Sequence, residues 1–199
     1  MKKFELTNEF ITNMFGTKLF RIRALVEFGD VEAGELGGYV EKESNLGHDD
    51  NAWVYDNAWV YGNARVYGDA LVCGNAWVYG NARVYGDAQV SGDARVYGNA
   101  WVYGDARVCG DARVCGNGDY AYARGFGSVN RTTTFFRLKD GGVGVRCGCF
   151  YGTLAQFRDK IRETHGETKK AQEYLMLADL MELRFEEDEN EVGNRKYVE

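Results

Sequence analysis

The sequence contains no proline and only two histidines, His48 and His165. Without proline no turn can rest on a ring-fixed φ, so the chain must turn through its 26 glycines. It also lacks a signal-peptide pattern and any apolar run long enough to span a bilayer, so no membrane partner is expected and a cytoplasmic chain is. In that setting the five cysteines are expected as reduced thiols. A formal net charge of −6 argues against bulk DNA or RNA as a partner. The glycine-rich nonapeptide that binds calcium in other repeat proteins is missing as well.

What is present is one six-residue phrase written eleven times from Asn51 to Gly116. Each copy opens on Asn or Asp, keeps Ala second and Val fourth, and closes on Gly, except the first, which closes on Asp56. Ala and Val point one way while the third and fifth letters point the other, the period of a half-buried strand. The Gly-Asn or Gly-Asp pair supplies the turn. Strands this short, turning every six residues, fit a solenoid with three hexads to a coil and coils about 4.8 Å apart. Both ends of such a stack are raw sheet edges that need caps.

These hexads resemble the parallel β-helix of the hexapeptide-repeat superfamily, best known for acyltransferases. The run from Leu19 to Val40 leading into them looks like a subgroup of bacterial and phage proteins described as hexapeptide transferases. The resemblance covers roughly residues 1–122 and implies a left-handed coil. It also implies a histidine general base at a subunit groove, for which His48 is the candidate near the repeats, and acyl-CoA as the co-substrate. No hexad carries a His to activate an acceptor for acyl transfer.

Positions 18 apart should stack into ladders on the outside of the prism. One face reads Trp59, Trp77, Arg95 and Arg113 beside Tyr61, Tyr79, Tyr97 and Cys115. A second reads Arg65, Arg83 and Trp101 beside Tyr67, Tyr85 and Tyr103, and a third mixes Trp53, Leu71, Gln89 and Arg107. So large an aromatic surface calls for a cover. Self-association answers that need, with a closed homotrimer as the expectation. Capture of a small anionic, nucleotide-like ligand is the other answer, because aromatic faces accept bases and arginine binds phosphate. The two are compatible if the ligand lies between protomers.

One corner should stack Asn51, Asp69, Asp87 and Asp105, either as carboxylates open to a hard cation or as local turn caps. No metal site is expected, there or at Cys147-Gly-Cys149 with His165, which reads instead as buried thiols.

Around the hexads, residues 1–40 read as a β-rich cap. Residues 1–16 make two short strands, and Lys18 to Phe28 a longer one. Residues 41–122 are the helix of repeats, with 41–50 as a degenerate first coil. Residues 123–152 hold a hairpin pairing Thr132–Leu138 with Val143–Cys147. Residues 153–199 form two helices, capped by Thr153 and Thr168, and an acidic solvated tail. The expectation is thus a mainly β, left-handed parallel β-helix with a non-enzymatic binding or sequestering role and no cofactor. Acyl transfer and a purely structural scaffold stand as alternatives.

Overall fold

The computed structural model describes residues 2–186. The acidic tail begins at Glu186, and the rest of it lies outside the described residues.

Eleven two-residue strands, from Trp53–Val54 to Arg113–Val114, occupy the third and fourth letters of the eleven hexads. They pair in parallel on three faces. Trp59, Trp77, Arg95 and Arg113 align on the first face. Arg65, Arg83 and Trp101 align on the second. Trp53, Leu71, Gln89 and Arg107 align on the third. Backbone bonds join coil to coil, as in Trp59 N to Ala76 O at 2.9 Å and Tyr61 N to Val78 O at 3.0 Å. The alternation dictates the core, since every hexad Ala and Val is at most 1% exposed. The corner glycines from Gly62 to Gly110 take positive φ, and a Cβ on Gly74 would lie 3.1 Å from Gly92 N. Both the turn and the closeness of the next coil therefore demand glycine.

At the lower end, β1 (Phe4–Thr12), β2 (Lys18–Ala24) and β3 (Leu36–Val40) extend the first face as an antiparallel sheet. The first sixteen residues were expected to form two strands. They form one, bulged between Leu6 and Phe10. The longer strand expected over Lys18 to Phe28 stops at Ala24, and Phe28 turns back to bridge Val31. The degenerate coil exists in part. Tyr39 and Val40 pair with Trp59 and Val60, and Leu46 bridges Val66. Its offset is two residues longer than a repeat, and the extra pair lies between Leu46 and Val54, because Val40 and Leu46 still keep the spacing of one hexad.

Every coil edge bares both donors and acceptors, and each needs a partner. Below, the Lys3 ammonium donates to Asp50 O and Ala52 O, each at 2.8 Å. Buried Asn45 donates to Gly62 O and Ala64 O. Three carboxylates take corner N–H groups: Glu41 from Gly62, Asp50 from Gly68 and Asp56 from Gly74. The last explains why the first hexad ends in Asp, which here adopts a φ of 53° in place of glycine.

At the upper end the chain forms a four-stranded antiparallel sheet of β15 (Tyr120–Phe126), β16 (Arg131–Arg137), β17 (Val143–Cys147) and β18 (Phe150–Thr153), β4 to β14 being the hexad strands. Its middle pair is the expected hairpin, flanked by two strands that were not expected. Helices α1 (Leu154–His165) and α2 (Lys169–Phe185) follow, with Thr153 and Thr168 accepting from Gln156 N and Ala171 N. They pack Phe157, Ile161, Tyr174, Ala178 and Met181 on Phe135 and Val145, a core separate from that of the solenoid. The upper edge is closed by Asn117 Oδ1 accepting from Trp101 N, Thr134 Oγ1 from Arg107 N, and Tyr120 donating to Trp101 O.

Candidate functional site

The register places the predicted ladders as stacks. Trp59 and Trp77 lie parallel with centroids 4.5 Å apart, and the Arg95 guanidinium sits 4.3 Å above Trp77. Tyr61, Tyr79 and Tyr97 stack at 5.0 and 5.1 Å. Tyr67, Tyr85 and Tyr103 stack at 5.0 and 5.3 Å, while Arg83 lies 4.8 Å from the Trp101 ring. Parallel rings this close are offset-stacked, so an inner ring spends both π faces on its neighbours. Only ring edges, and the faces at ladder ends, are left for an outside partner. Trp101 and Tyr103, each 41% exposed, are the most open ladder aromatics.

Burial pushes the Tyr61 hydroxyl up to about 12, reinforced by Tyr79 and opposed by Arg95. Arg113 is pulled down, first by burial and then by Arg95. It donates to Asp93 O at 2.9 Å and to Ala112 O at 2.8 Å.

Trp53, expected on the outside, is fully buried between Phe4 and Phe28, because the lower cap folds over that part of the third face. Two residues were missed on the first face. Tyr39 sits in register beneath Trp59, and Arg21 lies 5.0 Å from the Tyr39 ring. Step-of-18 reading could not find Tyr39, whose offset is longer. The signal available was the Tyr39-Val40 pair, which repeats the third and fourth letters of a hexad.

Beside the second face runs a groove of about 450 Å³ lined by Lys42, Ser44, Asn63, Arg65, Asn81 and Arg83. It shares Ser44, Arg65 and Arg83 with a smaller recess of about 210 Å³ that reaches Leu46, Gly47 and Tyr67. Arg65 and Arg83 occupy adjacent strands in register, so like charges are neighbours. Among the described residues, no carboxylate forms an ion pair with Lys42, Arg65 or Arg83. Asn63 donates to Asn81, and Asn81 to Asn99, which leaves each amide a second N–H for another partner. Three cations, a hydroxyl and two amides on one wall constitute a donor set for an anion.

The remaining candidates are engaged elsewhere. His48 accepts from Lys3 N through Nδ1 and stacks on Phe4 at 4.4 Å, so it braces the lower cap and is not a freely solvated loop residue. A neutral imidazole in that bond carries its proton on Nε2, which faces Glu43 at 3.9 Å. At the acidic corner, Asp69 accepts from Asn51 and Asp105 pairs with Arg124, so these side chains bond across to neighbouring segments and not within their own turns. Cys147 is buried, as expected, but Cys149 is exposed, because it occupies the turn between β17 and β18. Among the described residues no group of His, Cys, Asp and Glu is arranged to hold a metal, and no helix is long and apolar enough to cross a membrane.

These features define the chain as a parallel β-solenoid repeat protein. A family model described as the YdcK beta solenoid repeat matches residues 58–74, 64–80, 76–92 and 88–104, all within the hexads, and the chain is similar to that repeat there. No curated protein matches the chain.

Proposed function

We propose that this solenoid is a non-enzymatic binding protein that captures a small phosphate-bearing anion. The observation that carries the reading is the groove in which Lys42, Arg65 and Arg83 converge with Ser44 and without a described carboxylate. Arg65 and Arg83 repel each other across one coil, and a bound anion relieves that repulsion. Arg83 is held against Trp101, so part of the ordering cost is met before the ligand arrives.

The first-face ladder from Tyr39 to Arg113 serves self-association in this reading, with a homotrimer as the closed assembly. Its rings stack on one another and offer a flat wall of edges, which suits a second flat surface better than an intercalating base. Acyl transfer, implied by the likeness to hexapeptide transferases, has less support, because His48 Nδ1 is engaged by Lys3 N in the lower cap and no hexad carries a His.

Native mass spectrometry of the purified protein reads subunit count and retained anion in one spectrum. We expect a trimer that keeps a phosphate-bearing ligand, and the ligand should be lost in Arg65→Ala and in Arg83→Ala. A protein that neither retains nor binds any phosphate compound sinks the reading.

A further inference from the structure

The tyrosine ladder of the second face has an open lower end. Tyr85 is covered above by Tyr103 and below by Tyr67. Beneath Tyr67 the chain places Gly47, since Leu46 bridges Val66 and Gly47 N donates to Val66 O at 2.9 Å. The next position down the ladder therefore has a backbone but no side chain. On the first face the equivalent position, beneath Tyr61, carries Glu41, whose N donates to Val60 O at 3.1 Å.

Gly47 is not free to change. A Cβ there would lie 2.4 Å from Asp50 Oδ2, the oxygen that caps Gly68 N. The lower cap thus keeps position 47 without a side chain, and no ring of the chain's own stacks under Tyr67 there. Beside Tyr67 and Gly47 opens the recess of about 210 Å³, which shares Ser44, Arg65 and Arg83 with the cationic groove.

We propose that the recess and the groove together form a mononucleotide site, in which the base continues the ladder beneath Tyr67 and the phosphate lies among Lys42, Ser44, Arg65 and Arg83. This rests on the anion-binding reading above and adds to it the identity of the ligand's other half. A recess that reaches an aromatic ring suits a heterocyclic base. The cations at its mouth suit the phosphate that follows. A sugar phosphate fills only the second part, and inorganic phosphate less still.

Isothermal titration at low ionic strength separates these parts, using inorganic phosphate, ribose 5-phosphate and the common nucleoside 5′-monophosphates. We expect at least one nucleotide to bind about tenfold tighter than ribose 5-phosphate, the size of one base–aromatic stack. Tyr67→Leu should erase that advantage and leave ribose 5-phosphate binding nearly unchanged. Tyr67→Trp should keep or enlarge it, and Arg83→Ala should weaken every ligand. Equal affinity for nucleotides and ribose 5-phosphate, or an advantage lost in Tyr67→Trp, overturns the base slot while leaving the anion reading intact. Binding by none of the ligands removes both.

Discussion

At its lower end the solenoid is closed by charged side chains from two distant segments, while at its upper end it is closed by mostly neutral groups from the upper sheet and the 3-10 turn that leads into it. Below, Lys3, Glu41, Asp50 and Asp56 reach the edge, and Phe4, Ile22 and Val31 join the solenoid's own core. Above, Asn117, Thr134 and Tyr120 reach it, joined by Asp119, and the helices behind them pack on a core of their own. The same bare edge admits either solution. The difference lies in what else depends on each cap: the lower one packs into the repeat's core, while the upper one lends Tyr120 and Phe136 to that core and turns its other side to a second core under the helices.

That contrast can be broken at Lys3. Its ammonium is 3% exposed and bonded to two carbonyls and to Asp50 Oδ1. Lys3→Met keeps the volume but strands those acceptors, at an expected cost of about 3 kcal/mol in urea unfolding. Hydrogen exchange should quicken throughout the solenoid because the core is shared. A loss below about 1 kcal/mol would mean that solvent takes over the lysine's role.

Thr134→Val sharpens the comparison from the other side. It leaves Arg107 N without its acceptor beneath a fully buried side chain, and about 1–2 kcal/mol should be lost. Faster exchange should be confined to the coil nearest the upper sheet. If protection falls equally at Val60, the two ends are not energetically distinct.

The smallest effect has the opposite sign. Val129 in the β15–β16 turn has a φ of 52°, a conformation that β-branched side chains resist. Val129→Asn should raise stability by about 1 kcal/mol, read as a higher urea midpoint with the slope unchanged.

The solenoid could be read from the hexads because its determinants lie within six residues: Ala and Val inside, Gly at the corner, and ladder positions one coil apart. The caps were less legible because their logic is not local. Lys3 and Asn45 look like surface residues in sequence, and only the edge they serve explains their burial. The strand Tyr120–Phe126 was hidden by hexad-like letters that keep no clean alternation. Of the candidate site, Arg65, Arg83 and the tyrosine ladder followed from counting. Lys42, Ser44 and Gly47 did not, since the longer first coil breaks the count just where they stand.

The glycine corners carry one more consequence, for how such a chain can change length. Inserting a single hexad would turn everything above it by a third of a revolution, detaching each ladder letter from its partner and swinging the upper sheet around the axis relative to the lower one. Inserting three hexads would only lift the upper part by one strand spacing, about 4.8 Å, with all faces preserved. Growth and loss in this molecule are therefore quantised in whole coils, and a relative that gained or lost a lone hexad would need its two ends fitted to each other anew.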